Sequence, residues 1–441
     1  MNIMQYNRQQ TKTKYEVGFL KKRLERIVLN NKPEWKKNII LFLTSQTISL
    51  FGSSLVQYAI MWYITLETQS GMMMTISIIC GFLPTFFLSP FAGVWADRYN
   101  RKILIMLADS MIAISTLILA LLFFAGYKMM WLLFVMSAVR ALGAAVQMPA
   151  VGALIPQLVP EDKLIKVNGI NGSIQSAVML VSPMLSGALL TFTTIEAIFF
   201  IDVVTAALGV SVLLFFLQVP AHRKAQEMPS VSYFADMKQG LKYIREHAFL
   251  KSFFIFCALF MVMAAPAAFL TPLQVARTFG DDVWRLTAIE MTFSVGMMIG
   301  GILMATWGGF RNRIHSMAFG TLCFGVCTVA LGVIPVFWLY LVFMACVGVA
   351  MPIFNTPATV MLQEKVEPDF LGRVFGVLSM ISSTMMPLGM LIFGPIADVM
   401  AIEVLLIGTG VIMVLESVFL LGSKVLLEAG QPKVKPIEPL N

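Results

Sequence analysis

Residues 93–102 read GVWADRYNRK: one acid, three bases and an asparagine follow directly on a glycine, between two long apolar stretches. The chain around them is poor in charge. Of its 441 residues 58% are hydrophobic and 13% charged, against roughly 45–50% and 25% in soluble domains. One soluble core cannot hide that many apolar side chains. The composition predicts a polytopic membrane protein, and at about 20 apolar residues per crossing there is room for roughly a dozen helices.

Apolar windows place spans at 39–65, 72–96, 103–125, 130–156, 165–191 and 195–217, then at 249–275, 284–307, 314–334, 336–362, 371–397 and 402–423. The predicted fold is an all-α membrane protein of twelve transmembrane helices in two six-helix halves, 39–217 and 249–425. A basic tail (1–38), a polar linker loop (218–248) and a C-terminal tail (426–441) complete it. With the N-terminus inside, 28 of the 32 Lys and Arg fall in cytoplasmic segments. The outer loops hold Lys128, Arg277 and Arg285, and Arg140 lies within a span. That asymmetry follows the positive-inside rule and puts both termini in the cytoplasm. The net charge of +8 is thus topology and attraction to anionic lipid, with no nucleic-acid partner expected. The tail segment YEVGFLKKRLERIVLNN (15–31) reads either as an amphipathic surface helix or as a floppy basic tail. No cleavable signal is visible, because residues 1–38 lack an apolar core segment.

The halves are related. A shift of 208 lays QMPAVGALIPQLVPEDKL (147–164) over NTPATVMLQEKVEPDFLG (355–372), matching Pro149 with Pro357, Ala150 with Ala358 and Pro160 with Pro368. The same shift puts Gly93 on Gly301. Two such halves joined by a long loop make a transporter architecture, with its substrate site near mid-membrane between them.

The stretch Gly93-x-x-x-Asp97-Arg98-x-x-Arg101-Lys102 resembles the signature loop between spans 2 and 3 of the major facilitator superfamily. Gly93 lets span 2 approach another helix closely, and Asp97 needs a base or a helix N-terminus beside it. The resemblance implies that this N-terminus belongs to span 11, near Gly372 and Arg373. Asp97, Arg98 and Arg101 would then latch the halves while the protein is open outward. In the second half Ala305 stands where the acid would repeat, so the latch is expected from the first half alone. In span 5, VSPMLSG (181–187) resembles a worn antiporter signature in which Pro183 bends the helix and Gly187 packs it closely, an arrangement that seals a leak pathway. Together with VRALGAAVQMPA (139–150), FFIDVVTAALG (199–209) and LQEKVEPDFLGRVFG (362–376), these stretches are similar to the macrolide-efflux branch of the drug:proton antiporters.

Ionisable residues inside spans are expensive and therefore functional candidates. They are Asp109, Arg140, Asp202, Glu290 and Glu416, the last expected at the lower rim of span 12. The resemblance matches Arg140 to a span-4 arginine associated with proton transfer. A carboxylate taking protons from outside needs a nearby cation in one state only. Asp202 or Glu290 with Arg140 fits that need, with Asp109 as a further proton-coupling candidate. Span 1 carries Gln46 and Gln57 where many drug antiporters carry an acid. Gln46, Gln57, Gln147, Asn171 and Gln175 are candidates to line a substrate cavity with Phe and Met as adaptable wall.

No catalytic or metal-binding residue is expected. The five cysteines lie scattered in apolar runs, the three histidines fall in or beside cytoplasmic loops, and no HExxH, CxxC or GxSxG is present. The expected protein is not an enzyme. It is a secondary transporter in a bacterial plasma membrane, exporting small amphiphilic drugs in exchange for protons by alternating access. It needs no cofactor beyond the proton gradient, acts as a monomer and has the lipid bilayer as its surroundings. A lipid or metabolite translocator on the same fold is the alternative.

Overall fold

A computed structural model describes residues 34–219 and 233–431. The segment 15–31 lies outside the described residues, as do the last ten of the C-terminal tail. Among the described residues, 12 helices are long and apolar enough to cross a membrane. Spans 1–6 are Glu34–Thr68, Gly71–Arg98, Arg101–Phe124, Met130–Leu158, Leu164–Phe192 and Ile195–Phe216. Span 7 runs as Ala248–Phe269 and, after a break at Leu270 where Pro272 cannot continue the hydrogen-bond ladder, as Thr271–Thr278. Spans 8–12 are Val283–Trp307, Arg313–Val333, Phe337–Lys365, Pro368–Ile396 and Ile402–Gly422.

Local chemistry sets the ends. Asn100 of the opening stretch is the N-cap of span 3, its side chain accepting from the N–H groups of Lys102 and Ile103. Ser70 caps span 2 by accepting from Met73 N–H. Gly308, at φ 74°, takes the left-handed conformation that closes span 8. The linker, expected as a loop, contains the helix Tyr233–Glu246. Its Tyr243 ring stacks on Phe370 at 4.3 Å and its Gly240 abuts Arg373, so it docks on the start of span 11. Sequence alone did not show this helix because its support comes from that distant partner.

The duplication is visible in the packing. Span 2 packs on span 4 as span 8 packs on span 10, and span 3 packs on spans 4 and 6 as span 9 packs on spans 10 and 12. The shift of 208 carries Met130 to within one residue of Phe337, where span 10 begins, and Ile195 to within one residue of Ile402. Between the halves, span 2 meets span 11 and span 5 meets span 8.

Among the described residues, the close approaches between the halves lie at one end. Away from the GVWADRYNRK loop, a Cβ on Gly187 of span 5 would collide with Thr287 of span 8, and one on Gly394 of span 11 would collide with Thr75 of span 2. Trp62 and Met74 of the first half are buried in the core of the second. At the charged-loop end, Gly93, Gly169, Gly172, Gly372 and Gly376 have nothing within 4 Å of where a Cβ would stand. Asn168, Ser173, Gln175, Ser379 and Ser382 are exposed there. Among the described residues, the two halves thus form a wedge, closed at one end and parted beside these glycines at the end bearing the charged loop.

Candidate functional site

Inside the first half, Arg140 Nη1 donates to Asp202 Oδ2 at 2.5 Å, joining span 4 to span 6 in an ion pair. Asp202 is 0% exposed. Thr116 of span 3 stands between them, accepting from Arg140 Nη1 at 2.7 Å and lying 3.1 Å from Asp202 Oδ2. Span 1 supplies Ser53, whose hydroxyl donates to Asp202 Oδ1 at 3.3 Å and whose carbonyl accepts from Arg140 Nη2 at 2.9 Å. Gly52 makes the approach possible, since a Cβ there would collide with Thr205 and come within 3.1 Å of Asp202 Oδ1. Four helices therefore converge on one buried carboxylate, as a charge held in hydrocarbon requires.

Asp109 is also buried, 2% exposed. Its Oδ1 accepts from Gln147 Nε2 at 2.6 Å and from Ser49 Oγ at 3.2 Å, while its Oδ2 has no hydrogen-bond partner. Gln46 lies beside the same carboxylate, its own Nε2 outside hydrogen-bond geometry. Two of the expected cavity amides, Gln46 and Gln147, thus belong to the surroundings of Asp109. Gln57 and Gln175 are exposed, and Asn171 is partly so. Ser49, Ser53 and Thr116 were not singled out from sequence, because a hydroxyl in a span ordinarily bonds to its own helix backbone.

Glu290 stands apart from both. It is half-buried on span 8, near Tyr58 of span 1 and without a hydrogen bond or ion pair among the described residues. Glu416 is not at a rim. It is buried in span 12 on the side of span 7, near Cys257, with neither carboxylate oxygen partnered.

The opening motif braces its own half. Arg101 Nε donates to Ala96 O at 3.0 Å and Nη1 to Ala153 O of span 4 at 2.9 Å. Lys102 Nζ donates to Leu217 O, beyond the end of span 6, at 2.9 Å. Arg98 is exposed, and Arg373 lies over the Phe370 ring at 5.4 Å. In span 5, Pro183, Ser186 and Gly187 are buried. Ser186 Oγ donates to Leu55 O of span 1 at 3.0 Å, and Gly187 abuts Thr287, so the motif lies at the closed end.

A clasp that sequence did not suggest holds that end. Asp398, past the end of span 11, accepts from Gly71 N–H at 2.7 Å, Met72 N–H at 2.9 Å and Ser70 Oγ at 2.8 Å, all at the N-terminus of span 2. Arg277 of span 7 donates to Asp398 Oδ1 at 3.0 Å and to Ala397 O at 2.6 Å, and reaches Gln69 O across the halves. Burial by itself raises the Asp398 carboxyl, but the N–H groups of Met72 and Gly71, the Ser70 hydroxyl and Arg277 outweigh it and hold the group below its usual range.

A model of the Major Facilitator Superfamily matches residues 42–390, and also 272–437. The chain belongs to the major facilitator superfamily. It is 30% identical over 366 residues to Macrolide efflux protein A of Streptococcus pyogenes, covering 82% of this chain and 90% of that one. It is 24% identical over 383 residues to the multidrug efflux pump Tap of Mycobacterium bovis, with 82% and 86% covered. Among solved structures, a bacterial homologue of the human lysosomal transporter Spinster, in its inward-facing unoccupied conformation, superposes with a TM-score of 0.67 at 15% identity, over 92% of this chain and 100% of that one. The superfamily fold is thus established for this multi-pass membrane transporter.

Proposed function

We propose that this transporter exports amphiphilic drugs, macrolides among them, from a bacterial cell by proton antiport with alternating access. The likeness to Macrolide efflux protein A over nearly that protein's whole length supports the drug class. With the Lys- and Arg-rich segments in the cytoplasm, the wedge opens inward, the state in which an exporter takes up its cargo. Asp97 and the start of span 11 are the proposed latch of the opposite, outward-open state.

The observation that carries proton coupling is the Arg140–Asp202 ion pair. It lies within the first half and away from the seam, yet it ties together spans 1, 3, 4 and 6. Protonation of Asp202 removes the charge that Arg140 needs, so a proton arriving there loosens the four-helix junction. Asp109, on the same span as Thr116 and nearer the cytoplasm, is the proposed next stop. The test is drug accumulation in a drug-sensitive host with and without a protonophore. Lower macrolide accumulation that the protonophore reverses supports the reading, and unchanged accumulation in both conditions refutes it.

A further inference from the structure

Every base in or near the closed half of the spans already has a partner. Arg140 is paired with Asp202, Arg277 with Asp398, Lys128 with Glu196, and Arg285 with Asp282 while lying over the Trp284 and Phe337 rings. None is left for Glu290, which has no hydrogen bond or ion pair among the described residues and is only partly buried.

Its position on span 8 shows what it faces. Thr287, one helical turn earlier on the same face, is the residue against which Gly187 of span 5 closes. Glu290 therefore points into the seam between the halves, one turn below the seal on the side that opens. Tyr58 of span 1 lies close enough to feel its charge. Tyr58, Met61, Phe293, Met385 and Met386 are partly buried side chains packed against the core of the second half, which also takes in Trp62 and Met74 of the first. The apex of the wedge thus combines one uncompensated carboxylate with aromatic and thioether surface, a pairing that suits a cation on an apolar body.

We propose that Glu290 is a recognition site for the protonated amine, or another fixed positive charge, of an amphiphilic substrate held at the roof of the wedge. A carboxylate facing a low-dielectric cavity attracts an opposite charge far more strongly than one in water, and burying it against a neutral ligand leaves it unpaired. The lack of a free base among the described residues of the seam then acts as selection: cationic amphiphiles are preferred, and neutral ones of the same shape are held by apolar contact alone. The proposal rests on the export reading for its direction of transport, but binding at Glu290 is separable from it.

The test is equilibrium binding to the purified full chain in nanodiscs, for wild type, Glu290→Gln and Glu290→Asp. The probes are a macrolide bearing a tertiary amine, the same macrolide with that amine removed, and tetraphenylphosphonium. Charged hydrogen bonds and ion pairs of this kind correspond to about ten- to hundredfold in affinity. Glu290→Gln should weaken the amine macrolide and tetraphenylphosphonium by that factor, leave the deaminated macrolide unchanged, and be largely rescued by Glu290→Asp. Equal weakening of all three probes would mark Glu290 as structural and overturn the proposal, as would no weakening of any. Should wild type bind tetraphenylphosphonium in a Glu290-dependent way but neither macrolide, the recognition site stands and the macrolide reading falls. Wild type binding none of the three overturns the recognition site.

Discussion

Asp398 and Gly71, 327 positions apart, are joined by a hydrogen bond of 2.7 Å in which the carboxylate caps the N-terminus of span 2. Span 11 thus ends on span 2 at the end away from the charged loop, the outer side in the proposed orientation, and Arg277 locks the junction from span 7. The latch proposed by family resemblance is the reverse contact, Asp97 at the end of span 2 against the start of span 11. In that proposal the same pair of antiparallel helices would carry both gates, each through an aspartate at its C-terminal end.

Removing Asp398 should shift the protein toward the outward-open state. Charge-assisted hydrogen bonds contribute about 1.5–3 kcal/mol each, so Asp398→Ala is expected to cost the closed end at least about 2 kcal/mol. Spin labels on the outer ends of spans 2 and 11 report the change as a longer interlabel distance. Arg277→Ala should act in the same direction, and the double variant should be less than additive. An unchanged distance distribution in Asp398→Ala would refute the clasp.

The clasp should be indifferent to physiological pH. A carboxyl held below its ordinary range adds stability that is fully present above the free value of about 3.9, and that is lost only as pH falls through the lower clasped value. In the Asp202→Asn background, where the proposed coupling carboxylate no longer titrates, the interlabel distances should therefore be constant from about pH 8 to pH 5. A transition near neutrality that persists in that background would show that another group governs the outer gate.

Within the ion pair, loss of one partner leaves the other charge buried. Breaking such a pair costs about 3–5 kcal/mol, so Arg140→Ala should lower thermal stability more than the paired Arg140→Gln, Asp202→Asn variant does. Asp202→Asn should still insert yet lose drug-driven proton release. Retention of that release would move proton coupling to another carboxylate.

Gly187→Ala places a methyl against Thr287 where no room exists, and is expected to hinder closure of the outer end and slow efflux. Thr287→Ala, by removing the hydroxyl and methyl that the new Cβ meets, should restore part of the rate. A second-site change that gives no recovery would mean that Gly187 serves only to bend span 5.

The spans were legible because a membrane forces long apolar runs, and the duplication because Pro149 and Pro357 keep one register inside spans 4 and 10. Arg140 and Asp202 were legible as charges out of place. That they pair with each other, leaving Glu290 alone, was not, because it depends on how spans 4, 6 and 8 are arranged in space. The Asp398 clasp was equally hidden: an acid after a span looks like any loop residue until the N-terminus of span 2 is beside it. Glu416, expected at the lower rim of span 12, is instead buried on the side of span 7, near Cys257, which depends on how the two spans pack.

The most direct measurement uses purified protein in proteoliposomes with an acidic lumen and a neutral exterior, following uptake of a radiolabelled macrolide by molecules whose cytoplasmic face is outside. Proton antiport predicts accumulation that scales with the pH gradient, collapses with a protonophore and is absent in Asp202→Asn. Uptake that proceeds equally without a gradient, or unaltered in Asp202→Asn, would contradict proton coupling through the Arg140–Asp202 pair.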